Sequence, residues 1–259
     1  MPELLQTWLA SLGLSSLDFL ILIFAAGLTS LISAAMGIGG GILLLVIMAS
    51  IIPLSALIPV HGLVQLGSNA NRVVMKYPYL QWSIFGYFFI GALLASGLSL
   101  FFIAQLPLSV IQISIGLFVL LMVWGLKPQK RDLPAPLRIL AGFVTTLLTM
   151  FVGATGPLVA AMIHAQRADR HELVATFAAC MTSQHALKIV VFIIVGFAFM
   201  QWLPLAALMI ASGAIGTWLG LKLLDKLSAK YFDFVFKAIM TTLAIRLLYL
   251  GIVSLDIAA

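Results

Sequence analysis

The chain has 259 residues, of which 63% are hydrophobic and 8% charged, with a formal net charge of +6. Soluble domains carry about 25% charged residues. A chain with a mean hydropathy of +1.19 therefore cannot cover itself with a solvated surface, and the positive charge calls for an explanation other than nucleic acid.

Apolar stretches such as Phe19–Ala35, Ile84–Ala104, Val110–Trp124 and Ile189–Phe199 recur at short intervals, several near the ~20 residues that span hydrocarbon. They are continuous rather than alternating, which excludes a barrel. The reading is an all-α, polytopic helical membrane protein. Glu3 and Asp18 are acidic and no Lys or Arg precedes the first apolar run, so that run is not expected to be a signal peptide. Cys180 is the single cysteine, which excludes an internal disulfide and a multi-cysteine metal site.

In chain order, the first five helical pieces are expected at about 18–36, 40–57, 60–76, 82–104 and 108–126. The break between the first two is Gly37-Ile38-Gly39-Gly40-Gly41. Residues 127–138 form a proline-rich, basic linker. Five further pieces follow at about 138–152, 157–167, 172–196, 202–224 and 231–252, and Gly153-Ala154-Thr155-Gly156-Pro157 breaks the first pair. The second break lies 116 residues after the first, and the same shift carries Asn69-Ala70-Asn71-Arg72 onto His185-Ala186-Leu187-Lys188. The chain thus divides into a membrane repeat at 1–126, the linker and a second repeat at 139–259.

Eleven of the fourteen Lys and Arg residues lie at segment ends: Lys76; Lys127, Lys130, Arg131 and Arg138; Arg167 and Arg170; Lys222, Lys226, Lys230 and Lys237. Placing these clusters and the linker in the cytoplasm satisfies the positive-inside rule. Turns near Pro59, Gln105–Pro107 and Gly196–Trp202 then face outward, and both termini are external (periplasmic in a cell inner membrane). The halves enter from opposite sides, which makes an inverted repeat. The piece 157–167 is too short to span, and 138–152 is also short. A re-entrant hairpin, turning at the glycines, is preferred over two full crossings, although charge cannot separate the two.

Non-helical backbone at membrane depth is tolerated where protein or a water-filled cavity satisfies it. Helices starting near Gly41 and Pro157 would aim free N–H groups and positive dipole ends at the bilayer centre, a setting for an anion. The competing account is close helix packing, as expected for Gly216 and Gly220. Arg72 and Lys188 add the sharper signal, since a basic residue at a helix centre costs about 2.5–3.5 kcal/mol on insertion scales. Asn69 and Arg72 share a helix face, as do His185 and Lys188, and Ser68 and Gln184 add donors one position earlier. The expected substrate site comprises Gly37, Gly39, Gly40, Gly41, Ser68, Asn69, Arg72, Gly153, Thr155, Gly156, Pro157, Gln184, His185 and Lys188. His185 is the candidate for proton coupling, against the alternative of a neutral, hydrogen-bonded histidine. His61 and His164 are weaker candidates, and Arg246 stands toward the outer end of a helix. No metal site and no cofactor are expected.

The Gly-x-Gly-Gly-Gly break at Gly37, Gly39, Gly40 and Gly41, repeated as Gly153, Gly156 and Pro157 with Thr155 where a third glycine is often found, resembles the TauE/SafE sulfite exporter family. The resemblance runs from about Phe19 to Gly251. It implies an inner-membrane permease of two related halves and a substrate among sulfite, sulfoacetate and other small sulfur-containing or organic anions. The function expected is therefore a secondary transporter exporting a small anion, most plainly sulfite, by alternating access. A passive anion channel, or an importer of a small organic anion, is the alternative. An enzyme is not expected, because the acidic residues lie nearly all at segment ends. Partners are the anion and the lipid bilayer, with a homodimer left open and no nucleic acid.

Overall fold

A computed structural model describes residues 3–36, 39–101, 108–125, 132–166, 169–223, 241–242, 244–246 and 248–254. Every regular element among them is helical. A short α1 (Glu3–Ser11) precedes α2 (Ser16–Met36), α3 (Gly40–Ala49), α4 (Leu54–Lys76), α5 (Trp82–Ser99) and α6 (Leu108–Trp124). The second half holds α7 (Ala135–Val152), α8 (Gly156–Ala165), α9 (Arg170–Ile194), α10 (Leu203–Leu223) and a last apolar stretch, α11 (Ala244–Ser254).

Five helices are long and apolar enough to cross a membrane: α2, α5, α7, α9, and α10 with the turn before it. Their outer faces carry large apolar side chains such as Phe24, Leu94, Ile194 and Ile215, all exposed. A soluble monomer does not present apolar surface on that scale, so the protein is a polytopic membrane protein. The 23-residue α4 is not among the five. His61, Gln65, Asn69 and Arg72 lower its hydropathy, and all four are buried among other helices.

The expected turn at Pro59 is displaced. Pro59 lies within α4, and the chain turns instead at 50–53, where Pro53 caps the helix. Alpha3 is correspondingly shorter than expected. At ten residues, α3 and α8 are each about 15 Å long, roughly half the hydrocarbon thickness. Alpha7 begins earlier than expected, at Ala135, and its 18 residues reach span length. Each break therefore joins one span-length helix to one half-length helix, where two short arms were expected in the second half. The expected turn at Gln105–Pro107, residues 127–131 of the linker and the start of the 231–252 piece lie outside the described residues.

The helices pack in matched pairs. Alpha2 lies chiefly on α10 and α7 on α5, while α4 crosses α9; α5 also lies on α9, and α10 on α4. Exchanging the first-half helices for their second-half equivalents reproduces this list. Glycines set the closest crossings. A Cβ on Gly216 or Gly220 would strike the α2 backbone at Gly27 and Leu31, and one on Gly91 or Gly142 would strike the facing backbone of α7 or α5. These are small-residue contacts, through which helices approach in lipid.

Helix ends gather on two faces. On one, Lys76 pairs with His171, Gln81 donates to Glu172 and Arg138 donates to Ser83. Arg170 donates to the carbonyl of Ala35 near the end of α2. Asp169 and Glu172 form a reciprocal cap at the start of α9, which satisfies backbone donors that would otherwise be free. On the other face, Trp8 donates to the carbonyl of Gln201, and Arg246 donates to Ser50 in the turn before α4.

Candidate functional site

Both breaks open onto one small cavity of about 20 Å³, enough for a water molecule. Its floor includes Gly39, Gly41 and Ile42 from the first break and Ala154, Gly156 and Pro157 from the second, with Ser33 from α2. Two facing walls complete it: His61, Gln65 and Asn69 from α4, and Phe177, Met181 and His185 from α9. Successive wall residues are four apart, one face of a helix. Adding 116 to each α4 position gives the α9 position. The same three places of the two halves form the cavity.

The backbone explains how a break survives inside a bundle. Gly39 has φ 102° and Gly153 φ 92°, a region that residues with a Cβ rarely occupy. At the second break, the Lys188 Nζ donates to the carbonyl of Gly153 at 2.7 Å and to Thr149 Oγ1 at 3.1 Å. Thr149 itself donates to the Gly153 carbonyl at 3.1 Å, and Thr155 donates to the carbonyl of Thr145 at 3.1 Å. Gln184 donates to Thr145 and Thr146, each at 2.8 Å. The end of α7 is thus held by a basic side chain, the favoured partner for a helix C-terminus. Gly62 on α4 makes room for it, since a Cβ there would lie 2.9 Å from the Lys188 Cδ.

The first break repeats part of this bracing. Ser30 and Ser68 share a hydrogen bond at 2.9 Å, and these positions correspond to Thr146 and Gln184. His61 Nε2 donates to the carbonyl of Gly41 at 2.8 Å. Arg72 donates to Asn69 Oδ1 at 3.4 Å. Asn69 in turn donates to the carbonyl of Gln65 at 2.8 Å and to its Oε1 at 3.1 Å. The Arg72 Nε and the Nδ1 atoms of His61 and His185 are buried without a partner. The two imidazole rings meet edge to face at 6.0 Å.

The expected residues therefore separate. Gly39, Gly41, Asn69, Gly156, Pro157 and His185 line the cavity. Gly40 faces away from it, against the backbone of Thr29, which leaves no room for a Cβ; its place is a packing contact. Ser68, Gly153, Thr155, Gln184 and Lys188 brace the breaks. Arg72 and Lys188 are 1% and 0% exposed, so neither snorkels to the surface, yet neither is part of the cavity wall: each stands one turn beyond a wall residue. Gly37 lies outside the described residues.

Ser33, Gln65, Phe177 and Met181 were missed by sequence reasoning. Stepping back four and eight residues from Asn69 and His185 on the same helix face would have found the last three and drawn in His61. Among the described residues, no acidic side chain lines the cavity.

A family model described as Sulfite exporter TauE/SafE matches residues 22–247. Neither a curated protein nor a solved structure shows a match. With a cavity lined at equivalent positions of α4 and α9 and, among the described residues, by no acidic side chain, and with a family match over residues 22–247, the chain belongs to the sulfite exporter TauE/SafE family of membrane transporters.

Proposed function

We propose that the protein is a secondary transporter that exports a small sulfur-containing oxyanion, with sulfite as the leading substrate. The observation that carries this reading is the cavity built from equivalent positions of both halves. Alpha3 and α8 begin at its edge, where free N–H groups and positive dipole ends favour an anion. Arg72 and Lys188 stand just behind the walls and raise the local potential without blocking the space.

The two halves, 1–126 and 139–259, run in opposite orientations about the 127–138 linker, and rocking of one against the other exposes the cavity to each side in turn. The matched helix pairs support this plan. The face carrying Lys76, Arg138 and Arg170 is cytoplasmic by the positive-inside rule, which sets both termini outside an inner membrane. His185, buried at the cavity with an unpartnered ring nitrogen, supports a proton-coupled cycle.

Counterflow in proteoliposomes tests the reading. Labelled sulfite uptake should saturate and be stimulated by unlabelled sulfite on the other side, and His185→Ala should flatten its dependence on pH. Flux that rises linearly with the gradient, without stimulation from the opposite side, would identify a passive channel instead.

A further inference from the structure

The cavity is of water size, and sulfite, a sulfur atom with its oxygens, is larger. The helical walls must therefore part before the anion enters. The contacts that join them at each end decide from which side they part.

Alpha4 and α9 run antiparallel across the cavity. His61 meets His185 at one end of the walls, and Lys76 meets His171 past Asn69 and Phe177 at the other. The Lys76 Nζ lies 3.2 Å from the His171 Nδ1 and over the Tyr79 ring, which stacks on His171 at 5.0 Å. One residue earlier, Arg170 donates to the carbonyl of Ala35 at 3.0 Å. Ala35 stands near the end of α2, the helix that supplies Ser33 to the cavity. The start of α9 is thus tied to both α4 and α2.

The 116-residue shift gives the counterparts of these four residues at the opposite end. Lys76 corresponds to Phe192, His171 to Ser55, Arg170 to Leu54 and Ala35 to Phe151. None is charged. Phe192 meets Phe197 edge to face at 6.4 Å, and Leu54 and Phe197 pack on the apolar cluster that holds Ala56 and Val60. The hydrogen bonds on that face, Trp8 to Gln201 and Arg246 to Ser50, belong to α1 and α11 instead. One closure is polar and the other apolar. Polar ties at an aqueous boundary exchange for water at small net cost, whereas parting the apolar end exposes apolar surface to water.

We propose that the Lys76–His171 and Arg170–Ala35 contacts form a latch that closes the cavity toward their own face, so that breaking them admits the anion from that side alone. This rests on reading the protein as an alternating-access transporter, and it names the contacts that hold one of the two gates.

The test uses the full-length protein carrying Cys180→Ala and Met181→Cys, which leaves a single thiol, in the cavity wall. Its reaction with a membrane-impermeant methanethiosulfonate reagent is followed in right-side-out and inside-out vesicles. Adding Lys76→Met and Arg170→Gln together should raise the rate from the face of Lys76 by about fivefold or more and leave the rate from the other face unchanged. Lys76→Arg, which keeps a donor for His171, should react like the parent. So should Arg138→Gln, a control on the same face that loses only the tie to Ser83. An unchanged rate in the double variant would overturn the latch, even with a lowered melting temperature, and so would an equal rise from both faces. Sulfite counterflow by the unaltered protein is measured alongside. Its absence would overturn the transport reading itself, a distinct result.

Discussion

Lys188 shows how a residue singled out by its cost can have a different place from the one its charge suggests. Its Nζ is spent on Gly153 and Thr149 rather than on the cavity wall, and it is fully buried with no carboxylate against it among the described residues. An unpaired buried cation is penalised by several kcal/mol, whereas the Gly153 carbonyl still accepts a hydrogen bond from Thr149 once Lys188 is gone. Lys188→Met, which keeps much of the length and removes the charge, should therefore leave the melting temperature in detergent unchanged or raised. Sulfite uptake should fall at least tenfold, since the site would have lost stability spent on function. A lower melting temperature with uptake intact would make Lys188 a helix cap and nothing more. The positions of Arg72 and Lys188 were legible in the sequence because a basic residue in an apolar run is conspicuous. Gln65 and Met181 were not, because an amide and a thioether among apolar neighbours carry no such signal until the helix face is known.

The two half-length helices look alike in sequence, yet their first glycines do different things. Gly40 sits on the carbonyl of Thr29, so a Cβ must displace backbone, while a Cβ on Gly156 would meet only the rim of the Phe177 ring at 3.4 Å. Gly40→Ala should therefore destabilise the protein by about 2 kcal/mol or more, as overpacked sites do. Gly156→Ala should stay within about 1 kcal/mol, helped by the better helix propensity of alanine. Thermal unfolding of the two variants in detergent checks the contrast, and equal losses would contradict it. Helix existence was readable from hydropathy from α2 onward among the described residues, whereas α1 (Glu3–Ser11) was not expected. Ends were not. Pro59 looked like a turn because proline ordinarily stops a helix, but Pro53 takes that place and α4 runs on through Pro59. Alpha7 looked too short because Ala135, Pro136 and Leu137 read as linker, although proline is well suited to a first helical turn.

At the scale of the molecule, α2 packs on α10 as α7 packs on α5, and α4 and α9 share the cavity. The proposed two-repeat plan starts from the 116-residue shift of the glycine breaks and the paired basic positions. What the shift could not reveal is which side chains stand there: His61 and Gln65 on α4 against Phe177 and Met181 on α9, with Thr145, Thr146, Thr149 and Thr155 bracing the second break. Pairwise similarity identifies equivalent places and is silent about which side chains face inward. Selenite, a heavier relative of sulfite, offers a direct view of the outcome. An anomalous diffraction map of crystals grown with selenite should show selenium in the cavity between Gly41, Gln65 and Met181. Selenium confined to the face of Lys76, Arg138 and Arg170, with the cavity empty, would contradict an anion site between the breaks.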